Sequence, residues 1–329
     1  MLKCPSCKLL KLQEITLASN PPRYEYWCPY CGWGLRYFQR DNSFVKLTDK
    51  ERIKGKEKRM NDSVFNVVIT NKCNAHCPYC ISKQTPEVCK DYSKFNYAKL
   101  QKAIQYAVRA EIQTCKLTGK NGDPIVDLKT LHHVLSFVRD KFPIIEVQTN
   151  GTLLTEDIVK DLAGAGVTII AVSCVDCSWE GNCCLYGVDY PELFNLVNLL
   201  HKYDLSVRLS CTLIKDFVSC PEDIDAFLDY FQKCNVEQFS FIPVGYFGNN
   251  KYAQWSREHQ VDKHIWDRIH NQGTLLWETP YGGKIYDYKG NNVYIAECLS
   301  GTVKGIRSLI YYPDGHLRYS WTRPGAIIF

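Results

Sequence analysis

No stretch of the 329 residues approaches the roughly 18 consecutive apolar positions that a membrane helix needs. The amino end, MLKCPSCKLLKL, interrupts its apolar residues with lysines and cysteines, so neither an anchor nor a leader is expected and the chain reads as cytoplasmic. Low-complexity tracts are missing, and no internal repeat stands out beyond an alternation of strands and helices. The GWG at residues 32–34 lacks the third glycine of a dinucleotide fingerprint. His132, His133, His264 and His270 have no partners at metal-ligand spacing and read as packing or surface residues. Charge of one sign is not in large excess either: the net value is +5. It is uneven, however, with thirteen Lys or Arg against six Asp or Glu in residues 1–60 and a slightly acidic remainder. That asymmetry permits an acidic partner such as nucleic acid without requiring one.

Cysteine is what the chain has in abundance, seventeen residues of it. A chain this long does not need a disulfide framework, and C-x2-C spacing within it points to metal. CPSC (Cys4, Cys7) and CPYC (Cys28, Cys31) lie twenty residues apart, and two such knuckles satisfy a tetrahedral zinc ion with four thiolates. A closed four-cysteine site leaves no position for substrate, so a structural ribbon is expected over 1–45. Arginines and aromatics interleaved there could stack on bases, or serve as core and docking surface. Residues 46–62, rich in lysine and broken by Gly55, read as a linker or exposed helix.

A different set follows the apolar run SVFNVVIT: Cys73, Cys77 and Cys80 in a C-x3-C-x2-C arrangement. Three soft thiolates on one loop, with Pro78 against a continuous helix, suit a 4Fe-4S cluster that keeps one iron open. Beyond it, strands are expected at 114–119, 144–149, 167–173, 205–214 and 236–244, separated by helices near 95–110, 128–138, 155–162, 191–203 and 221–234. Thr155 before Glu156 and Asp157 marks one helix start, and Pro191 and Pro221 mark two more. The fold class is α/β: a partial (β/α)6 TIM-like barrel of parallel strands over 63–250, with the small ribbon before it. Residues 251–329 read as a helix and an antiparallel β extension capping the barrel.

Four strand ends carry a resemblance. Cys73-x3-Cys77-x2-Cys80 with Tyr79 before the last cysteine, LTGKNGDP (117–124), QTNGTLLT (148–155) and VSCVD (172–176) together resemble the radical S-adenosylmethionine (radical SAM) superfamily. LTGKNGDP departs from the family's Gly-Gly-Glu-Pro segment by two extra residues and by aspartate in place of glutamate. The resemblance implies a 4Fe-4S cluster on Cys73, Cys77 and Cys80 that binds S-adenosylmethionine (SAM). It places Gly122 and Asp123 at the ammonium, Asn150 and Ser173 at the carboxylate or ribose, and Tyr79 with the backbone near Ile242 and Pro243 around the adenine. Arg208 joins the carboxylate if it points inward. One-electron reduction would release a 5'-deoxyadenosyl radical that takes hydrogen from a substrate, and a reductant such as a flavodoxin or ferredoxin is implied.

Other readings stay open at this point. Cys174, Cys177, Cys183 and Cys184 crowd one segment and could hold a second cluster, while His316, Arg318 and Trp321 could line the barrel mouth. TNGTLLT leans toward a peptide or small heterocycle as substrate, and the basic amino-terminal module toward nucleotide or nucleic acid. Alternatives to an enzyme with its own substrate are a glycyl-radical activating enzyme and a zinc and iron-sulfur protein that binds nucleic acid without chemistry.

Overall fold

The computed structural model describes residues 63–279, 281–296 and 307–329 in full, together with the backbone of four strands nearer the amino end. The expected zinc ligands Cys4, Cys7, Cys28 and Cys31, and nearly all of the linker expected over 46–62, lie outside the described residues. Two compact units divide the chain, Met1–Met60 and Asn61–Phe329. In the first, β1 (Gln13–Leu17), β2 (Arg23–Trp27), β3 (Gly34–Phe38) and β4 (Ser43–Lys46) form an antiparallel sheet in chain order.

The second unit is built on one mostly parallel sheet. β5 (Val64–Val68), β6 (Thr114–Thr118), β7 (Ile144–Thr149), β8 (Ile169–Cys174), β9 (Ser206–Leu213) and β10 (Gln238–Pro243) follow one another in order and in parallel. The helices between them are α2 (Tyr97–Arg109), α3 (Leu128–Val138), α4 (Glu156–Gly164), α6 (Leu193–Lys202) and α7 (Pro221–Phe231). Shorter ones, α1 (Ile81–Gln84) and α5 (Trp179–Tyr186), follow the cluster loop and the cysteine-rich segment, where no helix is expected from sequence. Thr155 caps α4 as its position suggests, its side chain accepting the Ile158 N–H.

The carboxyl-terminal part differs from a purely antiparallel extension. After α8 (Lys251–Glu258) and α9 (Asp267–Gln272), β11 (Thr274–Glu278), β12 (Lys284–Tyr288) and β13 (Asn291–Ile295) form a meander. The first and third strands of a meander run the same way, and β13 thereby joins β10 in parallel. β14 (Ser308–Tyr311) lies parallel beside β5 and pairs antiparallel with β15 (Leu317–Arg318). These strands extend the sheet at both flanks rather than cap it. Its two flanks also approach each other: Ser63 Oγ, just before β5, is 3.0 Å from Tyr281 Oη in the β11–β12 turn.

Alternation along the strands sorts their side chains between two faces. Phe65, Leu117, Val147, Val172, Leu209 and Phe239 are buried with the apolar sides of the helices in one continuous core. Asn66, Lys116, Glu146, Arg208, Gln238 and Asn292 stand on the opposite face. The register aligns Asn66 with Lys116 and Lys116 with Glu146, and on the other side Arg208 with Gln238. The strands therefore differ between their two faces. β9 reads Ser-Val-Arg-Leu-Ser-Cys-Thr-Leu, apolar toward the helices and polar on the other side.

Candidate active site

The loop that leaves β5 is pinned before it reaches its first cysteine. The Lys120 N–H donates to Thr70 O at 3.2 Å and the Asp123 N–H to Lys72 O at 2.8 Å, so the turn after β6 lies flat against residues 70–72. Gly122 makes this approach possible: a Cβ there would stand 2.5 Å from Thr70 O, a backbone atom that cannot move aside. Cys73, Cys77 and Cys80 then follow, all free, with Cys73 exposed and the other two half-buried. Burial first, then the neighbouring Cys80 and Cys73 sulfurs, push the Cys77 thiol up to about 12. Burial also raises Cys73.

Asn150, from the end of β7, reaches this loop. Its Nδ2 donates to Asn74 Oδ1 at 3.0 Å and approaches Cys73 Sγ at 3.9 Å. Asn74 Nδ2 in turn donates to Thr152 Oγ1 at 2.7 Å, and the Thr152 N–H donates to Asn150 Oδ1 at 3.0 Å. Asp123 ties the turn after β6 to the same strand end. One of its oxygens accepts the Ile125 N–H at 3.0 Å and the other the Asn150 N–H at 2.7 Å, while Thr149 Oγ1 lies 2.9 Å from the second. Burial pushes the Asp123 carboxyl up in spite of these donors.

Tyr79, within the loop, is edge-on to Tyr186 at 6.4 Å between ring centres and 6.1 Å from Trp255 of α8. Gln84 fixes it from the other side, donating both to Tyr79 O at 3.0 Å and to Ser256 Oγ at 2.8 Å. At the end of β8 the Ser173 carbonyl accepts the Tyr190 hydroxyl at 2.5 Å. Ile242 and Pro243 occupy the matching end of β10, opposite Thr212 and Leu213 of β9.

Arg208 stands lower on the polar face, level with Ala171, two residues before Ser173. It is buried there, and Glu146 and Gln238 of the sheet are among its partners. NH1 meets Glu146 Oε2 at 2.5 Å and Nε donates to Gln238 Oε1 at 2.5 Å. Lys116 Nζ holds the other Glu146 oxygen at 3.0 Å. Burial alone would raise the Glu146 carboxyl, but Arg208 and Lys116 outweigh it and hold it below the ordinary value.

The structure thus brings Cys73, Asn150, Gly122 and Asp123 into one contact network, with Tyr79 and Cys80 on its margin. Among the described residues, no three or more His, Cys, Asp or Glu side chains are drawn to metal-binding distances. This includes the segment with Cys174, Cys177, Cys183 and Cys184. Cys174 is buried opposite Cys211 and Cys184 is exposed, while the Cys183 sulfur accepts the Tyr190 N–H at 3.3 Å. His316 and Arg318 face Asp314 in the carboxyl-terminal hairpin. Sequence reasoning missed Asn74, Thr149, Lys120 and Glu146. For Glu146 a signal was present, a single acid in the apolar strand IIEVQT.

Strand order, a cysteine loop after the first strand and polar turns after the next three define a domain class. Residues 67–215 match the family model described as the Radical SAM superfamily. An uncharacterized protein of Methanocaldococcus jannaschii is 30% identical over 139 residues, 42% of this chain and 43% of that one. The GTP 3',8-cyclase of Syntrophomonas wolfei is 26% identical over 115 residues, 34% of each chain. The chain therefore spans less than half the length of either relative. In fold it is similar to Streptococcus suis SuiB bound to S-adenosylmethionine, with a TM-score of 0.56 at 13% identity, covering 83% of this chain and 64% of that one. No helix of the described residues is long and apolar enough to cross a membrane.

Proposed function

We propose that the chain is a radical SAM enzyme. Cys73, Cys77 and Cys80 would hold a 4Fe-4S cluster, and S-adenosylmethionine would bind across the carboxyl ends of β5 to β10, on the polar face of a partial barrel. The observation that carries this reading is the Asn150 network. It joins the cysteine loop, the turn after β6 and the end of β7, three segments far apart in sequence. Thiols fit the group: they are soft, unpaired and on one loop, and Cys77 is raised partly by the other two. When bound and reduced, such a cluster would supply the single electron that reductive cleavage of S-adenosylmethionine needs, and Cys73, Cys77 and Cys80 would hold it.

The chain's own residues position and shield. Gly122 offers backbone to the SAM ammonium, and the Asp123 carboxylate keeps that backbone in place while retaining lone pairs for a further donor. Asn150 and Ser173 face the carboxylate and ribose, and Tyr79 with the Ile242–Pro243 backbone flanks the adenine. Arg208, engaged by Glu146 and Gln238, forms the floor beneath these groups. Half-buried hydroxyls of Ser173, Ser210 and Thr212 on the same face favour a polar substrate. A flavodoxin- or ferredoxin-like protein would deliver the electron, and Cys4, Cys7, Cys28 and Cys31 would hold a structural zinc. Anaerobic reconstitution tests the reading: about four irons per chain in the cluster, with a reduced-state EPR signal that changes when SAM is added, supports it. A chain that keeps no iron, or whose signal ignores SAM, overturns it.

A further inference from the structure

The turn after β6 carries two residues, Lys120 and Asn121, between glycines that otherwise meet. A Cβ on Gly119 would lie 2.1 Å from Gly122 O, so the two glycines are back to back and the intervening pair is pushed outward. Asn121 adopts a left-handed φ of 54°, which turns the pair toward α1. That helix begins immediately after Cys80, and the pair reaches both of its ends. Asn121 Oδ1 is 4.0 Å from Cys80 Sγ, and Lys120 Nζ donates to Thr85 Oγ1 at 2.6 Å. Thr85 itself closes the helix, its N–H and hydroxyl both donating to Ile81 O.

Lys120 is only 2% exposed, yet no carboxylate forms an ion pair with it among the described residues. Two groups favour its charge, Glu87 and the Cys80 sulfur, and Glu87 is turned to the Tyr92 hydroxyl at 2.9 Å and to the Val88 and Cys89 N–H groups. A buried ammonium held in no ion pair is costly. A 4Fe-4S cluster on three thiolates would supply one, being net negative when oxidised and more so when reduced.

Building on the reading of Cys73, Cys77 and Cys80 as cluster ligands, we propose that Lys120 is a positioning residue whose buried ammonium answers the charge of the cluster and raises its reduction potential, while Asn121 orients the Cys80 sulfur. In the ligated state the Asn121 amide presents its NH2 to that sulfur, the orientation that hydrogen-bonds a thiolate. Both effects favour the reduced cluster, the first by charge and the second by a hydrogen bond to sulfur.

Potentiometric EPR titration of the full-length, anaerobically reconstituted protein tests this. At the potential where half of the wild-type cluster is reduced, Lys120→Met is expected to be at most about one tenth reduced, a tenfold shift equivalent to about 59 mV for one electron. Lys120→Arg restores the wild-type value. The melting temperature gives a second readout of opposite sign in the two states: Lys120→Met melts higher than wild type without the cluster and lower with it. An unchanged potential in an iron-replete Lys120→Met protein overturns the proposal and leaves the radical SAM reading intact. If Lys120→Met takes up no iron, Asn121→Asp decides, since a carboxylate beside Cys80 must lower the potential and an unchanged value overturns the proposal. If wild type itself binds no cluster, both readings fall.

Discussion

Asp123 accepts the backbone N–H of Asn150 at 2.7 Å, and through that contact the turn after β6 holds the end of β7. The two residues are 27 positions apart. Asn150 then carries the connection onward to Asn74 in the cysteine loop.

Asp123→Asn is expected to disturb this junction more than its size suggests. Every contact of the carboxylate is to a donor, so an amide must turn an NH2 toward one of them. A loss of about 1–3 kcal/mol in denaturant unfolding is expected, together with weaker SAM binding. Equal stability and affinity would show that the turn is held by other contacts.

Gly122→Ala introduces a Cβ 2.5 Å from Thr70 O. Backbone must shift, and the shift falls on the residues leading into Cys73. Cluster occupancy should drop, and stability should fall by about 1–3 kcal/mol, which iron analysis and chemical denaturation would report.

The buried charges of the floor predict a pH dependence. Glu146→Gln takes the carboxylate away from both Arg208 and Lys116, and a destabilisation of about 3–5 kcal/mol is expected at neutral pH. The folded-state pKa of Glu146 is lowered, so its contribution is present above the ordinary carboxylate value of 4.5 and is lost as pH falls through the lower folded value. The gap between wild type and Glu146→Gln should therefore hold from pH 7 down to about 4.5 and close only below it. A gap that closes well above that pH would mean that Glu146 is not held as a carboxylate.

Serine at Cys73, Cys77 or Cys80 should remove the iron and spare the fold. Cys73 is exposed and the other two are half-buried, so little apolar burial is lost. Iron content should fall from about four per chain toward none, with an unchanged far-ultraviolet circular dichroism spectrum. Full iron retention in all three variants would place the cluster elsewhere.

Much of the parallel sheet was legible because its signals are local. Helix 128–138 and strand 144–149 follow directly from apolar spacing and agree with the structure. The parallel pairing of the carboxyl-terminal strands was not, since β13 and β14 join β10 and β5 across long sequence separations that no local pattern encodes. At the site, Cys73, Gly122 and Asn150 could be read from motif and turn chemistry. The carboxylate tie of Asp123 to Asn150 and the grip of Lys120 on Thr85 could not, because each depends on which loop the fold lays against which. Arg208 shows the intermediate case: strand alternation sets it on the face opposite Val207 and Leu209, whereas its partner Glu146 lies 62 residues earlier.

On the proposed function, these strand ends assemble a site that cleaves S-adenosylmethionine by one-electron reduction. Anaerobic incubation of the reconstituted, reduced protein with SAM, followed by chromatography for 5'-deoxyadenosine, tests it most directly. Wild type is expected to give 5'-deoxyadenosine and methionine in equal amounts, and Cys77→Ser neither. Intact SAM after incubation with a fully loaded, reduced wild-type cluster would contradict it.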